Sequence, residues 1–427
     1  MISIYRILSY IIYPILIVLI YFRRIFDKED KIRYKEKIFP SSSSKTRDYK
    51  RKLIWFHAAS VGEVQSIFPI IKNLKDTFKN YQILITTVTV SSAKLVHRQI
   101  LNNDNNNLYH RYFPLDVDFL TKRFIDSWKP DVIFFVDSEI WPNLILNIKL
   151  RNIPLAILNA RITSKTFKRW LIAPNTAKKI FSSFDLCLSS NSETKKYLEN
   201  LGAGNIHYIG NIKFCANVSI KNINNVNSEI LNKKNFWCAV STHKEEEEFC
   251  VKTHLNLKSK VEKLLTIIVP RHIDRCSKIK KISEKYNLKT QVLNRSQKIL
   301  DDKEIVIVNS YGETSNFLKY SKSVFIGKSM IRRLQHVGGQ NPLIAAKLGC
   351  KIYHGPFVYN FKEVYDFLNE NGLSIQLNNI DHLSNYLLKD FKNEKKEILA
   401  SNQIIENFGQ KILNDTISKI NKFINET

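Results

Sequence analysis

The chain lacks the short motifs by which common nucleotide-using enzymes are recognised. It contains no G-x-x-x-x-G-K-[ST] segment, which argues against a P-loop kinase or ATPase. No G-x-G-x-x-G follows the first predicted strand, which argues against a dinucleotide oxidoreductase. A G-x-S-x-G nucleophile elbow is also missing, which argues against an α/β-hydrolase. Any catalytic function therefore has to be sought in other residues.

Metal-binding patterns are missing as well. The six cysteines form no C-x-x-C pair and have no histidine at ligand spacing beside them, and the ten histidines are mostly isolated in the sequence. We therefore expect no structural or catalytic metal, no other cofactor, and thiols that are buried in a reducing compartment. The cysteines are Cys187, Cys215, Cys238, Cys250, Cys276 and Cys350.

Acidic residues are few relative to basic ones. The 66 Lys and Arg residues outnumber 39 Asp and Glu residues, and the resulting charge of +27 favours anionic partners: nucleic acid, an anionic membrane or phosphorylated substrates. The basic residues are spread along the chain, so a solvated basic surface is an alternative. No aromatic RNA-binding motif, helix-turn-helix or basic stripe supports nucleic-acid binding.

The N-terminus carries an apolar segment that indicates a membrane anchor. Sixteen uncharged residues run from Ile7 to Phe22, with Pro14 near the middle and a basic flank after them. This run is shorter than the roughly 20 residues of a spanning helix, and it lacks a small-residue cleavage site. It predicts either a short span or a segment within one leaflet, and a buried helix of a soluble domain is the alternative. The positive-inside rule places the rest of the chain in the cytoplasm.

Two α/β units are predicted after this anchor. Near-continuous apolar strands alternate with helical patterns, which is typical of parallel sheets that are covered on both faces. We expect two Rossmann-like, doubly wound domains that face a cleft. The boundaries are 1–38 for the anchor and basic flank, 39–216 and 217–392 for the two domains, and 393–427 for a C-terminal helical segment. The predicted strands are Leu53–Ala58, Gln82–Thr87, Val132–Val136, Leu155–Asn159 and Leu186–Ser190, then Phe236–Val240, Leu264–Val269, Thr290–Leu293, Ile305–Val308, Ser323–Ile326 and Lys351–Tyr353.

Polar residues in the first half cluster where predicted strands end, which is where open α/β sheets bind ligands. Glu63 lies in "HAASVGEV" at the start of a predicted helix, and Glu139 follows the strand "VIFFV". Both have structural alternatives: Glu63 as a first-turn carboxylate that complements the helix dipole, and Glu139 as a cap for a helix beginning near Pro142. Arg161 follows another strand and adds a cation.

The second half offers groups suited to an anion. Ser241, Arg271 and Gly312 each follow a predicted strand, and Gly338-Gly339 precede Pro342 at the expected start of a helix. Free N–H groups at such a helix start, together with Arg271, would bind a phosphate. Carboxylates in one half and an anion site in the other suit transfer of a group from an activated nucleotide sugar.

The ordered set of segments resembles the 3-deoxy-D-manno-octulosonic acid (Kdo) transferases of lipopolysaccharide synthesis. The segments are "HAASVGEV", "DSEIWPNL", "LNARIT", "GNIKF", "STHKEEE", "PRH", "YGE" and "GGQNPL...G...GP". The resemblance implies a GT-B glycosyltransferase with an N-terminal anchor. It also implies transfer of Kdo from CMP-Kdo to the lipid A precursor lipid IVA, at the cytoplasmic face of the inner membrane.

The resemblance also implies roles for individual residues. Glu63 would be the general base, kept ionised by its helix start, while Glu139 and Lys213 would stabilise the transition state of an inverting, metal-free transfer. Its CMP site corresponds to Pro270, Arg271, Tyr311, Gly312, Glu313, Asn341, Pro342, Leu343 and Ile344. Supporting positions are Ser60, Gly62, Arg161, Ser241, His272, Gly338 and Gly339.

One position departs from the family pattern. The family has Glu three residues after the Asn of its Gly-Gly-x-Asn motif, where this chain has Ile344. A missing charged hydrogen bond would cost about 1.5–3 kcal/mol of donor affinity unless another group, such as Gln340, replaces it. A UDP-sugar-dependent GT-B enzyme of envelope synthesis is the main alternative, an inactive homologue is another, and a non-catalytic nucleic-acid-binding protein is the alternative from a different class.

Overall fold

The computed structural model describes residues 1–40, 47–101, 107–216, 225–392 and 398–427. The loop predicted at Pro40–Lys50 and the Asn-rich boundary at 220–234 lie partly outside these residues, at 41–46 and 217–224. Contacts divide the chain into two compact units. Unit 1 comprises Met1–Asn217 together with Gly409–Thr427, and unit 2 comprises Val218–Phe408.

Unit 1 is built on a seven-stranded sheet in which every neighbouring pair of strands is parallel. The strand order is β3-β2-β1-β4-β5-β6-β7. The strands are β1 Leu53–His57, β2 Gln82–Thr87, β3 Leu108–Tyr112, β4 Val132–Val136, β5 Leu155–Ala160, β6 Leu186–Ser189 and β7 Ile206–Tyr208. The helices are α1 Ile2–Ile25, α2 Val61–Thr77, α3 Val90–Leu101, α4 Asp118–Trp128, α5 Pro142–Lys149, α6 Ser164–Leu171, α7 Pro174–Phe181 and α8 Ser192–Asn200.

Unit 2 repeats this architecture with a second parallel sheet of seven strands in the order β10-β11-β9-β8-β12-β13-β14. The strands are β8 Asn235–Thr242, β9 Leu264–Pro270, β10 Thr290–Leu293, β11 Ile305–Val308, β12 Ser323–Ile326, β13 Lys351–His354 and β14 Ser374–Gln376. The helices are α9 Ser228–Lys233, α10 Glu246–Lys258, α11 Cys276–Lys285, α12 Thr314–Leu318, α13 Leu343–Lys347, α14 Lys362–Glu370 and α15 Ile380–Lys392. The last helix, α16 Ile398–Asn425, begins in unit 2 and continues into unit 1.

The central strands form because their apolar runs are buried on both faces of the sheet. Every residue of β1 and β4 is buried, and Trp55 packs its ring 4.9 Å from that of Phe124 and 6.0 Å from that of Phe135. Such large aromatic side chains contribute most of the apolar area that drives the folding of each layer. The predicted doubly wound α/β fold with two parallel sheets is confirmed.

Three strands were not predicted, and all three lie at the edges of the sheets: β3, β7 and β14. An edge strand has one neighbour and is covered less completely, so its sequence needs no continuous apolar run. In β3 the buried residues Leu108, His110 and Tyr112 alternate with partly exposed ones. The period of two in a short polar segment was too weak a signal to predict a strand.

The two termini both belong to unit 1. Helix α1 is long and apolar enough to cross a membrane by its length and composition, and it continues through Pro14. The predicted C-terminal helix is present as α16, and its part from Gly409 onward packs in unit 1. A Cβ added to Gly409 would lie 2.7 Å from the Phe214 carbonyl oxygen, so glycine allows α16 to approach this backbone closely.

Candidate active site

The first candidate site lies at the carboxyl edge of the unit 1 sheet, where the strand order reverses between β1 and β4. Connections that leave neighbouring strands in opposite directions open a crevice at this point, and α/β proteins bind ligands there. The segment after β1 carries Glu63, and the segment after β4 carries Asp137 and Glu139. The fold therefore brings both predicted carboxylates to one edge.

Glu63 occupies the first turn of α2 in a capping arrangement. The Ser60 hydroxyl donates to Glu63 Oε1 at 2.6 Å and also accepts from the Glu63 N–H at 3.4 Å, and the Ala59 N–H donates to Oε2 at 2.8 Å. This pattern satisfies donors that the helix start would leave unpaired. Gly62 lies beside it, and a Cβ built there meets no atom of the described structure within 4 Å. The space beside the Cα of Gly62 is therefore open.

The surroundings of Glu63 shift its pKa upward. Burial raises its pKa above the ordinary value, the negative charges of Asp137 and Glu139 add to this effect, and the hydrogen bonds from Ser60 and Ala59 only partly oppose it. The hydrogen bonds at the helix start favour ionisation, but they do not set the net direction of the pKa shift. That Glu63 is ionised near neutral pH stays a prediction. Desolvation outweighs the helix start because the side chain is almost fully buried.

Glu139 does not cap a helix. It lies 3.1 Å from His57 Nε2 and accepts a hydrogen bond of 2.7 Å from the indole N–H of Trp141. The first amides of α5 donate instead to Asp116, at 3.1 Å from Asn143 and 2.9 Å from Leu144.

The same neighbours determine the ionisation of Glu139. Burial alone would raise its pKa, but the interaction with His57 and the hydrogen bond from Trp141 lower it below the ordinary value. The pKa of Glu139 is therefore lowered, whereas that of Glu63 is raised.

Lys213 joins this cluster through Asp137. It lies in the 3-10 turn Ile212–Cys215, and its ammonium group donates to Asp137 Oδ2 at 2.6 Å. The Asn159 side chain places this turn by accepting the Ile212 N–H at 3.0 Å. Lys213 is thus paired with Asp137, a carboxylate that sequence reasoning did not single out although it begins the "DSE" segment.

Arg161 contributes its main chain to the same edge. The Ser138 hydroxyl donates to the Arg161 carbonyl at 2.8 Å, and the Arg161 N–H donates to the Asp137 carbonyl at 3.2 Å. These bonds tie the end of β5 to the end of β4. His57 and Asp137 are the site residues that the sequence did not single out, since their role depends on contacts between distant parts of the chain.

The second candidate site lies at the carboxyl edge of the unit 2 sheet and is cationic. Arg271 and Lys328 follow β9 and β12, the strands on either side of β8, and the rings of His243 and His272 lie 5.8 Å apart. Burial lowers the pKa of Lys328, and the positive charge of Arg271 lowers it further. Within the described ranges, no carboxylate lies within ion-pair distance of the side chains of Arg271 or Lys328. Unneutralised cations at a strand edge suit a phosphate-bearing ligand.

Glu246 holds the loops of this site in place and was not predicted. It begins α10 just after β8, and its carboxylate accepts four backbone N–H groups, from His243 at 3.0 Å, Lys328 at 2.7 Å, Ser329 at 2.8 Å and Met330 at 3.0 Å. The residues after β12 come so close to the end of β8 that a Cβ at Gly327 would lie 2.6 Å from the Ser241 carbonyl oxygen. One buried side chain therefore connects the loop after β8 with the loop after β12.

The segment Gly338-Gly339 packs against the loop after β12. The Gly339 N–H donates to the Lys328 carbonyl at 2.7 Å, Gly339 has φ 87°, and a Cβ at Gly338 would lie 2.2 Å from the Phe357 carbonyl oxygen. Both positions therefore require glycine. The following helix α13 begins at Leu343, and Pro342 is its N-cap rather than a helical residue.

Helix α13 spans only five residues, so its dipole is a weaker anion site than predicted. The Asn341 side chain caps it by accepting the Leu343 N–H at 3.0 Å. Ile344 lies half-buried in the first turn. The Gln340 carbonyl accepts the Tyr365 hydroxyl at 2.9 Å, which holds this turn against α14.

The "YGE" segment follows β11 at the same edge. Tyr311 is 64% exposed, Gly312 has φ 85°, and Glu313 forms an ion pair with Arg295 at 3.3 Å. Parallel strands place the ends of β11 and β9 side by side, so Tyr311 and the Pro270-Arg271 segment share one edge. Unit 2 therefore brings the predicted donor segments to one side of its sheet.

Solved structures with the same fold have little sequence in common with this chain. A UDP-GlcNAc 2-epimerase from Neisseria meningitidis aligns with 88% of this chain and 100% of its own at a TM-score of 0.55 and 10% identity. A glycosyltransferase from Rickettsia africae aligns with 88% of this chain and 99% of its own at a TM-score of 0.54 and 13% identity. These likenesses establish the two-domain fold alone.

Comparison with protein families is more specific. The family model described as 3-deoxy-D-manno-octulosonic-acid transferase (kdotransferase) matches residues 32–216. A 3-deoxy-D-manno-octulosonic acid transferase from Rickettsia bellii is 32% identical and covers 99% of this chain and 100% of that protein. The corresponding protein from Haemophilus influenzae is 29% identical over 74% of each chain.

Two doubly wound parallel units with these sequence relatives define a glycosyltransferase of the GT-B type. Identity of 32% over nearly the whole of both chains is decisive at the family level. The chain belongs to the Kdo transferase family.

Proposed function

We propose that this enzyme transfers Kdo from CMP-Kdo to the lipid A precursor lipid IVA during lipopolysaccharide synthesis, with inversion at the anomeric carbon and without a metal. The observation that carries the proposal is that the fold brings two carboxylates, Glu63 and Glu139, to the switch point of unit 1. Their pKa values shift in opposite directions there. Membership of the family supports the sugar that is transferred. The choice of CMP and of lipid IVA follows the motif resemblance.

In the proposed step, ionised Glu63 accepts the proton of an acceptor hydroxyl. The hydroxyl oxygen forms a bond to the anomeric carbon of Kdo, and the bond from that carbon to the phosphate oxygen of CMP breaks. CMP leaves with the electron pair of that bond. The raised pKa of Glu63 makes it a stronger base than an ordinary carboxylate, as general-base catalysis near neutral pH requires.

The cationic site in unit 2 supports the role of CMP as the leaving group. Arg271 and Lys328 carry charges that would stabilise a departing phosphate, as would the N–H groups of the Gly-Gly segment. Charge stabilisation from these groups demands neither a metal nor a separate general acid. Among the described residues, no group of three His, Cys, Asp or Glu side chains is arranged to hold a metal ion. A metal-free reaction remains a prediction.

The location of the reaction is part of the proposal. The apolar helix α1 supports attachment to the inner membrane, and the basic excess suits an anionic membrane and a phosphorylated acceptor. The positive-inside rule favours the cytoplasmic face.

The test is transfer from CMP-Kdo to lipid IVA by the full-length chain in detergent, with and without a chelator. We expect equal product formation in both. Absence of product would reject the proposed function, and loss of activity with the chelator would reject the metal-free step. Competition by CMP but not by UDP distinguishes this donor from a UDP-sugar.

The base assignment is tested by Glu63→Gln. The amide can keep both local contacts, because its oxygen can accept the Ala59 N–H and its NH2 can donate to Ser60. We expect kcat to fall about 100-fold or more, with donor KM and thermal unfolding nearly unchanged. Glu193→Gln, on the exposed face of α8, is the matched control and should retain full activity. Equal turnover in the two variants would contradict the role of Glu63.

A further inference from the structure

Helix α1 packs against the rest of unit 1 at positions from Ile2 to Ile20. Its less exposed residues recur every three or four positions, which is the spacing of one helical face. Ile20, near the C-terminal end of this face, is only 5% exposed. The face consists of Ile2, Arg6, Ser9, Tyr13, Leu16, Ile17, Ile20 and Arg24, and we call it the docked face.

Polar groups on and beside the docked face bind directly to unit 1. The Tyr5 hydroxyl donates to Asp116, the carboxylate that also caps α5, at 2.9 Å. The rings of Tyr10 and Tyr13 pack 5.7 and 5.2 Å from Phe119 in α4. Further contacts are Arg6 Nε to Asp118 Oδ1 at 3.2 Å, Asn143 Nδ2 to Ser9 Oγ at 3.2 Å, and the Tyr13 hydroxyl to the Ile38 carbonyl at 3.2 Å.

The opposite face of α1 is apolar and exposed. Its side chains are each more than 40% exposed. Exposed apolar side chains grouped on one face are typical of a surface that binds a protein or a membrane. Phe26, Ile32 and Phe39, which follow the helix in sequence, are also exposed, at 69%, 81% and 51%. The members on α1 are Ile4, Ile7, Leu8, Ile11, Ile12, Ile15, Val18, Leu19, Phe22 and Ile25.

Basic residues border the apolar surface at its C-terminal end. Arg23, Lys28, Lys31 and Lys35 are exposed, and they lie among Phe26 and the neighbouring apolar side chains. Lysine and arginine near a membrane surface each contribute about 1 kcal/mol of attraction to anionic lipid. Apolar surface edged by cations is complementary to an anionic bilayer, whose acyl chains lie below its charged headgroups.

Length alone would allow α1 to span a bilayer, because 24 residues extend about 36 Å and the hydrocarbon core is about 30 Å thick. If α1 spanned the bilayer, however, the residues of unit 1 that contact its docked face would also lie in the hydrocarbon core. Asp118, with its ion pairs to Arg6 and Lys122, would then lie at membrane depth. Charged side chains there cost several kcal/mol.

We propose that α1 lies in the plane of one leaflet, with its docked face on unit 1 and its exposed face among the acyl chains of anionic phospholipid. This inference rests on the membrane location in the proposed function, but its tests measure helix depth and do not depend on Kdo transfer.

The first test measures depth at three positions. Ile4→Cys, Ile15→Cys and Phe22→Cys are each spin-labelled in the full chain bound to vesicles of zwitterionic and anionic phospholipid in a ratio of about two to one. The six native cysteines are buried and free, so labelling is confined to the new site. We expect the three labels at the same depth. The ends lie about 27 Å apart along the helix, so a deep Ile15 label between shallow ends would overturn the proposal.

The second test measures the side of the membrane on which the N-terminus lies. Ser3→Cys and the exposed control Ser182→Cys are treated with a membrane-impermeant maleimide, with the protein in sealed vesicles of the same composition. We expect both to react from the same side. Reaction of Ser3→Cys only after the vesicles are opened, while Ser182→Cys reacts at once, would show a spanning helix.

A third test asks whether the exposed face contacts lipid. Ile15→Glu should weaken vesicle binding about tenfold or more, because a carboxylate would enter the acyl region. Asn200→Glu adds the same charge on the exposed end of α8 and should leave binding unchanged. Circular dichroism confirms that both variants fold. Equal binding by the two variants would overturn the proposal.

Discussion

At the scale of single residues, Glu63 and Glu139 show how two identical functional groups acquire different properties. Glu139 interacts with His57 and Trp141, and these contacts lower its pKa despite burial. Glu63 is buried near the charges of Asp137 and Glu139, and its pKa is raised. Carboxylates perturbed in opposite directions within one site are typical of enzymes that separate a base from a permanently charged group.

Ser60→Ala tests this electrostatic arrangement. The Ser60 hydroxyl donates to Glu63 at 2.6 Å and thereby lowers its pKa, so its removal raises that pKa further. Because the base acts when deprotonated, activity is lost as the pH falls through its pKa. We expect the acidic limb of the kcat/KM profile to move to higher pH.

Ser60 is also the N-cap of α2, so the variant should lose about 1 kcal/mol of stability. Asn191→Ala removes a comparable cap from α8, where Asn191 accepts the Thr194 N–H at 2.7 Å. This control should be similarly destabilised without any change in the pH profile. An acidic limb that stays in place in Ser60→Ala would contradict the assignment of Glu63 as the base.

Gly62→Ala tests whether substrate occupies the open space beside Gly62, the residue before Glu63. No described atom lies within 4 Å of the added Cβ, so the variant should fold with at least the stability of the native chain. We expect transfer to fall nonetheless, through a higher KM for the acceptor. Gly204→Ala is also free of contacts within 4 Å and should retain full activity. An unchanged acceptor KM for Gly62→Ala would place the acceptor elsewhere.

At the scale of secondary-structure elements, the unit 2 site depends on loops that one carboxylate holds together. Glu246 at the start of α10 binds N–H groups from the loops after β8 and β12. In Glu246→Gln the amide NH2 would face backbone N–H donors, and unpaired buried donors cost about 1–3 kcal/mol.

We therefore expect Glu246→Gln to lower the free energy of unfolding by that amount and to weaken CMP binding measured by calorimetry. Glu248→Gln is the matched control, because Glu248 lies on the exposed side of the same helix and pairs with Lys252. It should leave CMP binding unchanged. Native CMP affinity in Glu246→Gln would show that the loops keep their arrangement without the carboxylate.

At the scale of the whole molecule, unit 1 is discontinuous in sequence, since it combines the first half of the chain with the last nineteen residues, Gly409–Thr427. Ile420 in α16 is fully buried, and the Phe423 ring lies 6.0 Å from Phe134 in β4. The stability of the unit that carries Glu63 therefore depends on the C-terminus.

Ile420→Ala should reduce the free energy of unfolding of unit 1 by about 2–5 kcal/mol. CMP binding by unit 2 should stay unchanged at temperatures where unit 1 is folded. Ile404→Ala, at a 40% exposed position of the same helix, should cost much less. Calorimetry that shows equal losses for the two variants would contradict the packing of α16.

Local sequence patterns were sufficient for the class of fold and for the segments that carry the sites. Continuous apolar runs predicted the central strands, because a strand buried on both faces needs apolar residues at every position. Glu63, Glu139 and Arg271 were predicted from their places after strands, since all parallel strands end at the same edge. The ordered motifs indicated the family that the comparisons confirm.

Only the tertiary structure decided which groups meet. Lys213 pairs with Asp137 across 76 positions of sequence, and the Lys328 N–H binds Glu246 across 82. Asp116 rather than Glu139 caps α5, and the edge strands join sheets without an apolar run of their own. The physical reason is distance along the chain. Secondary-structure propensity and apolar periodicity are set within one helical turn or one strand, whereas hydrogen bonding and desolvation depend on neighbours that folding brings together.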